Sequence, residues 1–198
     1  MEIRSYVSSD EVSWVRCRVL SFLDTAYYDN VLTQKETYNN PSIELVAIEN
    51  NQVVGLIDIE YDTSEQKVCS HTKKTGGMIW HIATHPDYQR MGVGSQLLVE
   101  AEKLAAKLGI NYFEAWTRDD EWVRAWYRKS EFTITDAYYH VYFEGHAEVK
   151  RVMKGFESNF TPEIIFAHYN GDDPSAIEKK SNRIHECVCF IKNLKVTR

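Results

Sequence analysis

An α/β fold on a mixed sheet is the class this sequence predicts, and three observations carry it. Apolar stretches of strand length recur at 43–48, 53–61, 78–84 and 111–117. Between the last two, Leu97, Leu98, Ala101, Leu104, Ala105 and Leu108 repeat at helical spacing. The order along the chain reads strand, helix, hairpin, strand, helix, strand, helix, strand, strand.

Ile3 to Tyr6 form a short first strand. Ser8, Ser9 and Asp10 offer helix caps, and Val12, Val15, Cys17, Val19 and Phe22 populate the helix that follows. Residues 24–41 are polar and aromatic, with no dominant period. Strands Ile43–Ile48 and Val53–Tyr61 flank Asn50-Asn51, and asparagine tolerates the positive φ of a tight hairpin. A polar loop, 62–77, leads to a strand at Met78–Thr84. In the amphipathic helix, Lys103 and Lys107 sit near the C-terminal end, where the dipole favours cations, and Gly109 is a natural stop. A strand, Asn111–Thr117, reaches Asp119-Asp120, which can cap a helix to about Lys129. Phe132–Phe143 and Ile184–Ile191 are the last strands. Residues 145–184 form a mixed insertion, in which 164–166 suggest a buried strand and Pro174 starts a helix through Lys180.

At 198 residues the chain has the length of one domain, enough to bury about 70% of its unfolded surface without disulfide or metal support. A net charge of −6, from 23 basic and 29 acidic residues, argues against a general nucleic-acid binder and suits a cationic partner. No apolar run approaches the length of about eighteen that a membrane span needs. Met1-Glu2-Ile3-Arg4 lacks the layout of a signal peptide. Cys17, Cys69, Cys187 and Cys189 show neither C-x-x-C pairing nor zinc spacing, so they read as buried thiols of a reducing cytoplasm. The seven histidines show no ligand spacing, so no metal is expected.

Chemistry concentrates at one strand-to-helix junction, His85-Pro86-Asp87-Tyr88-Gln89-Arg90-Met91-Gly92-Val93-Gly94-Ser95. Pro86 stops the strand, and Gly92 and Gly94 let the backbone turn tightly and approach a ligand. The first amides of the helix then point outward with the positive dipole end behind them, a nest for phosphate or pyrophosphate. No Lys follows Gly94, so a Walker loop fails, and Leu97 stands where a dinucleotide fingerprint needs a third glycine.

Gln89-Arg90-Met91-Gly92-Val93-Gly94 resembles the Q/R-x-x-G-x-G/A acetyl-CoA motif of the GNAT superfamily of N-acetyltransferases, and it lies between an apolar strand and a long helix as it does there. A second match follows. The family's N-x-x-A-x-x-L-Y-x-x-x-G-F corresponds to 120–132, where Tyr127 and Phe132 keep their spacing. Asp120 stands for Asn as a helix cap, Val123 for Ala, and Glu131 for Gly, leaving this helix end without its usual left-handed cap or under strain. The resemblance covers roughly residues 1–144.

The resemblance implies one GNAT domain over 1–198, with a family-variable insertion at about 145–184 and helices on both faces of the sheet. It implies an acetyl-CoA cleft where strands Met78–Thr84 and Asn111–Thr117 splay apart. Pantetheine would lie along the first strand on the backbone of Ile82, Ala83 and Thr84. The pyrophosphate would meet Gln89, Arg90 and the amides of Met91, Gly92, Val93, Gly94 and Ser95. An amine then attacks the thioester directly. Freeing an amine of pKa about 10.4 costs roughly 4–5 kcal/mol at neutral pH. Tyr127 matches the family's general-acid tyrosine, which protonates the departing thiolate.

No base stands out. Met78, Trp80 and Ile82 share the cleft face of a regular strand and cannot accept a proton, while His81 points the other way. Asp58 and Glu60 share a face of the preceding strand, and Glu114 needs a bulge to turn it inward. A water-mediated route stands beside them. Trp80, Trp116, Trp122 and Trp126 cluster near the cleft as an aromatic wall or as core, with Trp80 facing substrate by strand parity. The insertion reads as a lid, a homodimer surface or an elaborated core. The acceptor expected is a small, polyamine-like cation. The alternatives are a protein N-terminus or lysine, and a non-catalytic acyl-CoA sensor.

Overall fold

The computed structural model describes residues 1–70, 74–153, 155 and 160–195. Residues 71–73 of the polar loop, 154 and 156–159 of the insertion, and 196–198 lie outside the described residues. The elements are β1 (Glu2–Ser5), α1 (Glu11–Phe22), β2 (Ser42–Glu49), β3 (Gln52–Tyr61), β4 (Gly76–Thr84), α2 (Val93–Leu108) and β5 (Tyr112–Thr117). They continue with α3 (Glu121–Lys129), β6 (Thr133–Glu144), α4 (Gly145–Val152), β7 (Ile164–Tyr169), α5 (Ser175–Glu178) and β8 (Arg183–Asn193). Eight strands form one sheet in the order β1-β2-β3-β4-β5-β8-β6-β7. Among the described residues only β4 and β5 run parallel.

Local chemistry sets the turns. Asn50 and Asn51 take φ of 50° and 60°, the left-handed pair that a two-residue hairpin between β2 and β3 demands. In β3, Ala47 pairs with Gly55 and Ile48 with Val53, so Val54 is an extra residue and the strand bulges. The bulge turns Gly55 toward α2, where an added Cβ would stand 2.5 Å from Val93 Cγ1. Only glycine lets α2 lie this close.

The two main helices cover opposite faces. Trp14 and Cys17 of α1 pack on Val46, Val53 and Leu56. Leu97, Leu98, Ala101 and Ala105 of α2 pack on Leu45, Ile57, Ile59, Phe113 and Ala115. Each buried leucine of that kind contributes about 1.5–3 kcal/mol. The buried side of α1 also carries Arg18 and Ser21, polar groups that the apolar reading of this helix passed over.

Several expectations are corrected. The apolar run at 164–166 is not a buried strand. It opens β7, an edge strand whose Ile164 and Phe166 are exposed. Its burial alternates because an edge strand here has only one covered face, where Ile165 and Ala167 meet Val141 and Phe143. The helix after Pro174 stops at Glu178. Helix α4, at the start of the insertion, supplies Val149 to that same small core. Asp10 does not cap α1 with its side chain; the carboxylate is held by Arg4 at 2.7 and 2.9 Å. Among the described residues no helix is long and apolar enough to cross a membrane.

Candidate active site

The β4–β5 ladder runs from Gly76–Tyr112 to Ile79–Ala115 and then stops. Beyond it the strands diverge, and the edge of β4 from Trp80 to Thr84 faces β5 without a strand partner. A cleft of about 910 Å³ opens there, lined by both strands, the start of α2, α3 and the segment after α1. A second bulge shapes it. Asp58 pairs with His81 and Ile59 with Ile79, leaving Trp80 as the extra residue. The parity argument therefore fails: His81 shares the α1 side with Met78, and Ile82 faces α2. Trp80 still lines the cleft and donates from Nε1 to Glu60 at 2.8 Å.

At the α2 end, Arg90 and Gly92 take φ of 63° and 83°, so the chain turns into the helix through two left-handed residues. Among the described residues no backbone carbonyl accepts from the amides of Met91 through Ser95. These orphan donors at the positive end of a helix are a ready anion site. Ile82, Ala83, Thr84, Gln89, Arg90, Gly92, Val93, Gly94 and Ser95 all line the cleft. Met91 contributes its backbone to the turn, and its side chain is exposed.

Helix α3 carries Tyr127 to the junction of the splayed strands. Its ring stacks on Phe190 at 4.9 Å and meets Phe132 edge-on. Among the described residues its hydroxyl has no hydrogen-bond partner, and burial pushes its pKa well above the usual phenol range. The helix begins unlike its expected cap. Both oxygens of Asp120 accept from the Ala26 amide at 3.0 Å, so they serve the segment after α1 and not their own helix. Glu131 ends α3 at φ 68°, the strain anticipated from the missing glycine.

The carboxylates weighed as bases are held elsewhere. Asp58 is fully buried between Lys35 Nζ at 2.8 Å and the Tyr38 hydroxyl at 2.9 Å. Glu60 accepts from Trp80 and from the Asn40 amide. Glu114 accepts from the Ser70 amide and hydroxyl and from Trp116 Nε1. None of the three lines the cleft. Trp80, Trp116, Trp122 and Trp126 do. The four cysteines are buried and unpaired, and burial pushes the Cys17 and Cys189 thiols up to about 12, far from nucleophilic.

Sequence reasoning missed two cleft residues, Arg18 and Glu36. Arg18 is nearly inaccessible and donates to the Asn30 carbonyl at 2.7 Å, to Asn30 Oδ1 at 3.0 Å and to His81 Nδ1 at 3.3 Å. His81 Nε2 lies 2.5 Å from Glu36 Oε2. That hydrogen bond, working against burial, holds the Glu36 carboxyl below the usual range. The only available signal was a polar helix face at Arg18 and Ser21.

The acetyltransferase (GNAT) family model matches residues 10–132. No curated protein matches the chain in sequence. Solved structures share the fold. The ribosomal-protein-S18-alanine N-acetyltransferase from Escherichia coli superposes with a TM-score of 0.59 at 11% identity, over 100% of this chain and 96% of that one. Arabidopsis thaliana NAA60 in complex with a bisubstrate analogue gives 0.57 at 9% identity, over 99% of each chain. A GNAT family acetyltransferase from Elizabethkingia anophelis, solved with acetyl-CoA bound, gives 0.53 at 14% identity, over 98% and 97%. With more than half its length matched by the family model and a splayed parallel pair at its centre, the chain belongs to the GNAT family of acetyl-CoA-dependent acetyltransferases.

Proposed function

We propose that the protein transfers the acetyl group of acetyl-CoA to a primary amine of a small cationic molecule by direct attack. One observation carries the reading: the cleft passes between the splayed strands from an anion-binding end to an acidic, aromatic end. Orphan amides and Arg90 lie at the first, on the α2 side. Glu36, against His81, and Trp80 lie at the second, and Asp24, Asp120 and Trp116 also line the cleft.

The residues fit acetyl-CoA as donor. The amides of Met91 through Ser95 suit a pyrophosphate, and the free edge of β4 at Ile82, Ala83 and Thr84 suits the amide-bearing pantetheine arm. The amine nitrogen bonds to the acetyl carbon and the carbon–sulfur bond breaks. One ammonium proton stays on the product amide, one ends on the sulfur, and one is released to solvent. Tyr127 is the donor to sulfur. Its raised pKa keeps the phenol protonated across the neutral range, so it acts by position and not by driving force. The four unpaired thiols fit work in a reducing compartment such as the cytoplasm.

CoA release from acetyl-CoA, followed across a panel of amines and peptides, tests this reading. Turnover with amines is expected, and Tyr127→Phe should lower kcat by about 10²–10⁴ while CoA affinity holds. Wild-type rates in that variant would return Tyr127 to the core. A peptide acceptor is the second reading, and turnover with peptides alone would install it. Segment 24–36, roofing the acidic end through Asp24, Thr25, Asn30 and Glu36, favours the smaller molecule.

A further inference from the structure

We infer that Glu36 is the residue that selects the acceptor, pairing with a cationic group through its Oε1 oxygen. Its side chain lines the cleft and keeps 48% of its surface exposed. Its other oxygen, Oε2, is fixed. Arg18 Nε donates to His81 Nδ1, so the imidazole proton sits on Nε2 and donates to Glu36 Oε2 at 2.5 Å. Arg18 is itself locked by two hydrogen bonds to Asn30. The chain Asn30–Arg18–His81–Glu36 thus aims one carboxylate into the cleft. Among the described residues Oε1 has no hydrogen-bond partner.

Charge points the same way. His81, Arg18 and Lys35 all favour the ionised Glu36 carboxylate, and Lys35 is already paired with Asp58 at 2.8 Å and Glu44 at 2.7 Å. Of the acidic side chains in this cluster, Glu36, Asp58 and Glu44, Glu36 is the one on the cleft. The half-exposed Trp80, next to His81 in β4, lines the same cleft, and a cation gains about 0.5–2 kcal/mol over an indole face. His81 and Arg18 lie on the α1 side of the sheet, opposite the α2 amides that suit the donor. Donor and acceptor would then meet across the splay from opposite faces. A cationic acceptor is selected over a neutral or acidic one of equal length.

The assignment deepens the acetyltransferase reading, but its test does not depend on turnover. The CoA-saturated protein is titrated with 1,4-diaminobutane in a calorimeter, with 1,4-butanediol as the neutral control. Binding of the diamine and not the diol is expected. Glu36→Gln, which keeps the size and an acceptor for His81, should raise the diamine Kd at least tenfold and leave the CoA Kd within twofold. His81 is a positioning residue: His81→Phe should weaken the diamine severalfold, and His81→Asn, whose amide can still donate to Glu36, should recover much of it. Diamine binding absent from the wild type, or unchanged in Glu36→Gln, overturns the assignment. Turnover is read separately. A diamine held through Glu36 yet never acetylated leaves the cation site standing and removes the small-amine acceptor of the proposed function. Acetylation with the same KM in Glu36→Gln does the reverse.

Discussion

A Cβ on Gly94 would stand 3.6 Å from Thr84 Oγ1 and 3.7 Å from the Trp126 ring, ordinary contact distances. Gly94→Ala should therefore bind CoA within a few-fold of wild type, whereas Gly94→Trp fills the space over the orphan amides. CoA at about a hundred times its Kd stabilises the folded protein by roughly 2.7 kcal/mol. For a domain of this size that is a rise in Tm of about 5–11 °C. Gly94→Trp should abolish the rise, and a rise preserved in that variant would move the pyrophosphate elsewhere. At this scale the glycine turn and Tyr127 were legible as residues of the cleft, because they sit in short motifs whose spacing is local. Glu36 was not. Its meaning comes from a contact 45 residues away, across the sheet, and nothing in 24–41 distinguishes it from a solvated glutamate.

Among the elements, β4 depends on an acid placed before it. Asp62 accepts from the amides of Val68 at 2.8 Å, Cys69 at 3.2 Å and Gly76 at 2.9 Å, pinning a polar loop to the first residue of the strand. Burial alone would raise its pKa, and the three amides together with Lys67 outweigh it, so the carboxyl sits below the usual range. Asp62→Asn sets an amide N–H against those donors and should cost about 1–3 kcal/mol. The sign with pH follows from the depressed pKa. Stability from this carboxylate is complete above its unfolded pKa of about 4 and disappears as pH falls through the lower folded value. Urea midpoints of wild type and Asp62→Asn should differ at pH 7 and converge below pH 4; parallel curves down to pH 2 would exclude this role. Strand identities were readable from apolar runs, but alternation was not. The extra residue at Trp80 inverts the faces of His81 and Ile82, and a bulge has no residue type that announces it. The exposure of β7 was hidden for a related reason: an apolar run does not say whether it lies at an edge.

Across the whole molecule, the segment after α1 ties the two sides of the splay together. Toward β4 it is held by Arg18–Asn30 and Glu36–His81. Toward β5 and β8 it is held by Asp120 on the Ala26 amide, by Arg118 on the Ala26 carbonyl and by Arg183 on Asp29 at 2.7 Å. Arg118 is the deepest of those on the β5 and β8 side, and it also donates to the Tyr142 hydroxyl and, from Nε at 2.9 Å, to His140 Nδ1. Such an arrangement works only while His140 is neutral, because a protonated Nδ1 cannot accept from a guanidinium. Burial, then Arg118 and the neighbouring His168 and His185, lower the His140 pKa to about 4. The unfolded chain binds a proton near the ordinary 6.5, so the unfolded state is the better proton acceptor and acid favours it. Stability is full above pH 6.5, falls by roughly 3 kcal/mol as pH drops toward 4, and loses nothing more to this group below that. His140→Asn keeps an acceptor for Arg118 without a titrating ring. Its urea midpoint should stay flat between pH 6.5 and 4 while that of the wild type declines. Amide exchange in 24–30 should quicken over the same interval in the wild type alone, because the guanidinium that loses His140 is the one holding Ala26. Equal pH slopes in the two proteins would separate His140 from the acid response and leave the hold on the segment after α1 to Asp120 and Arg183.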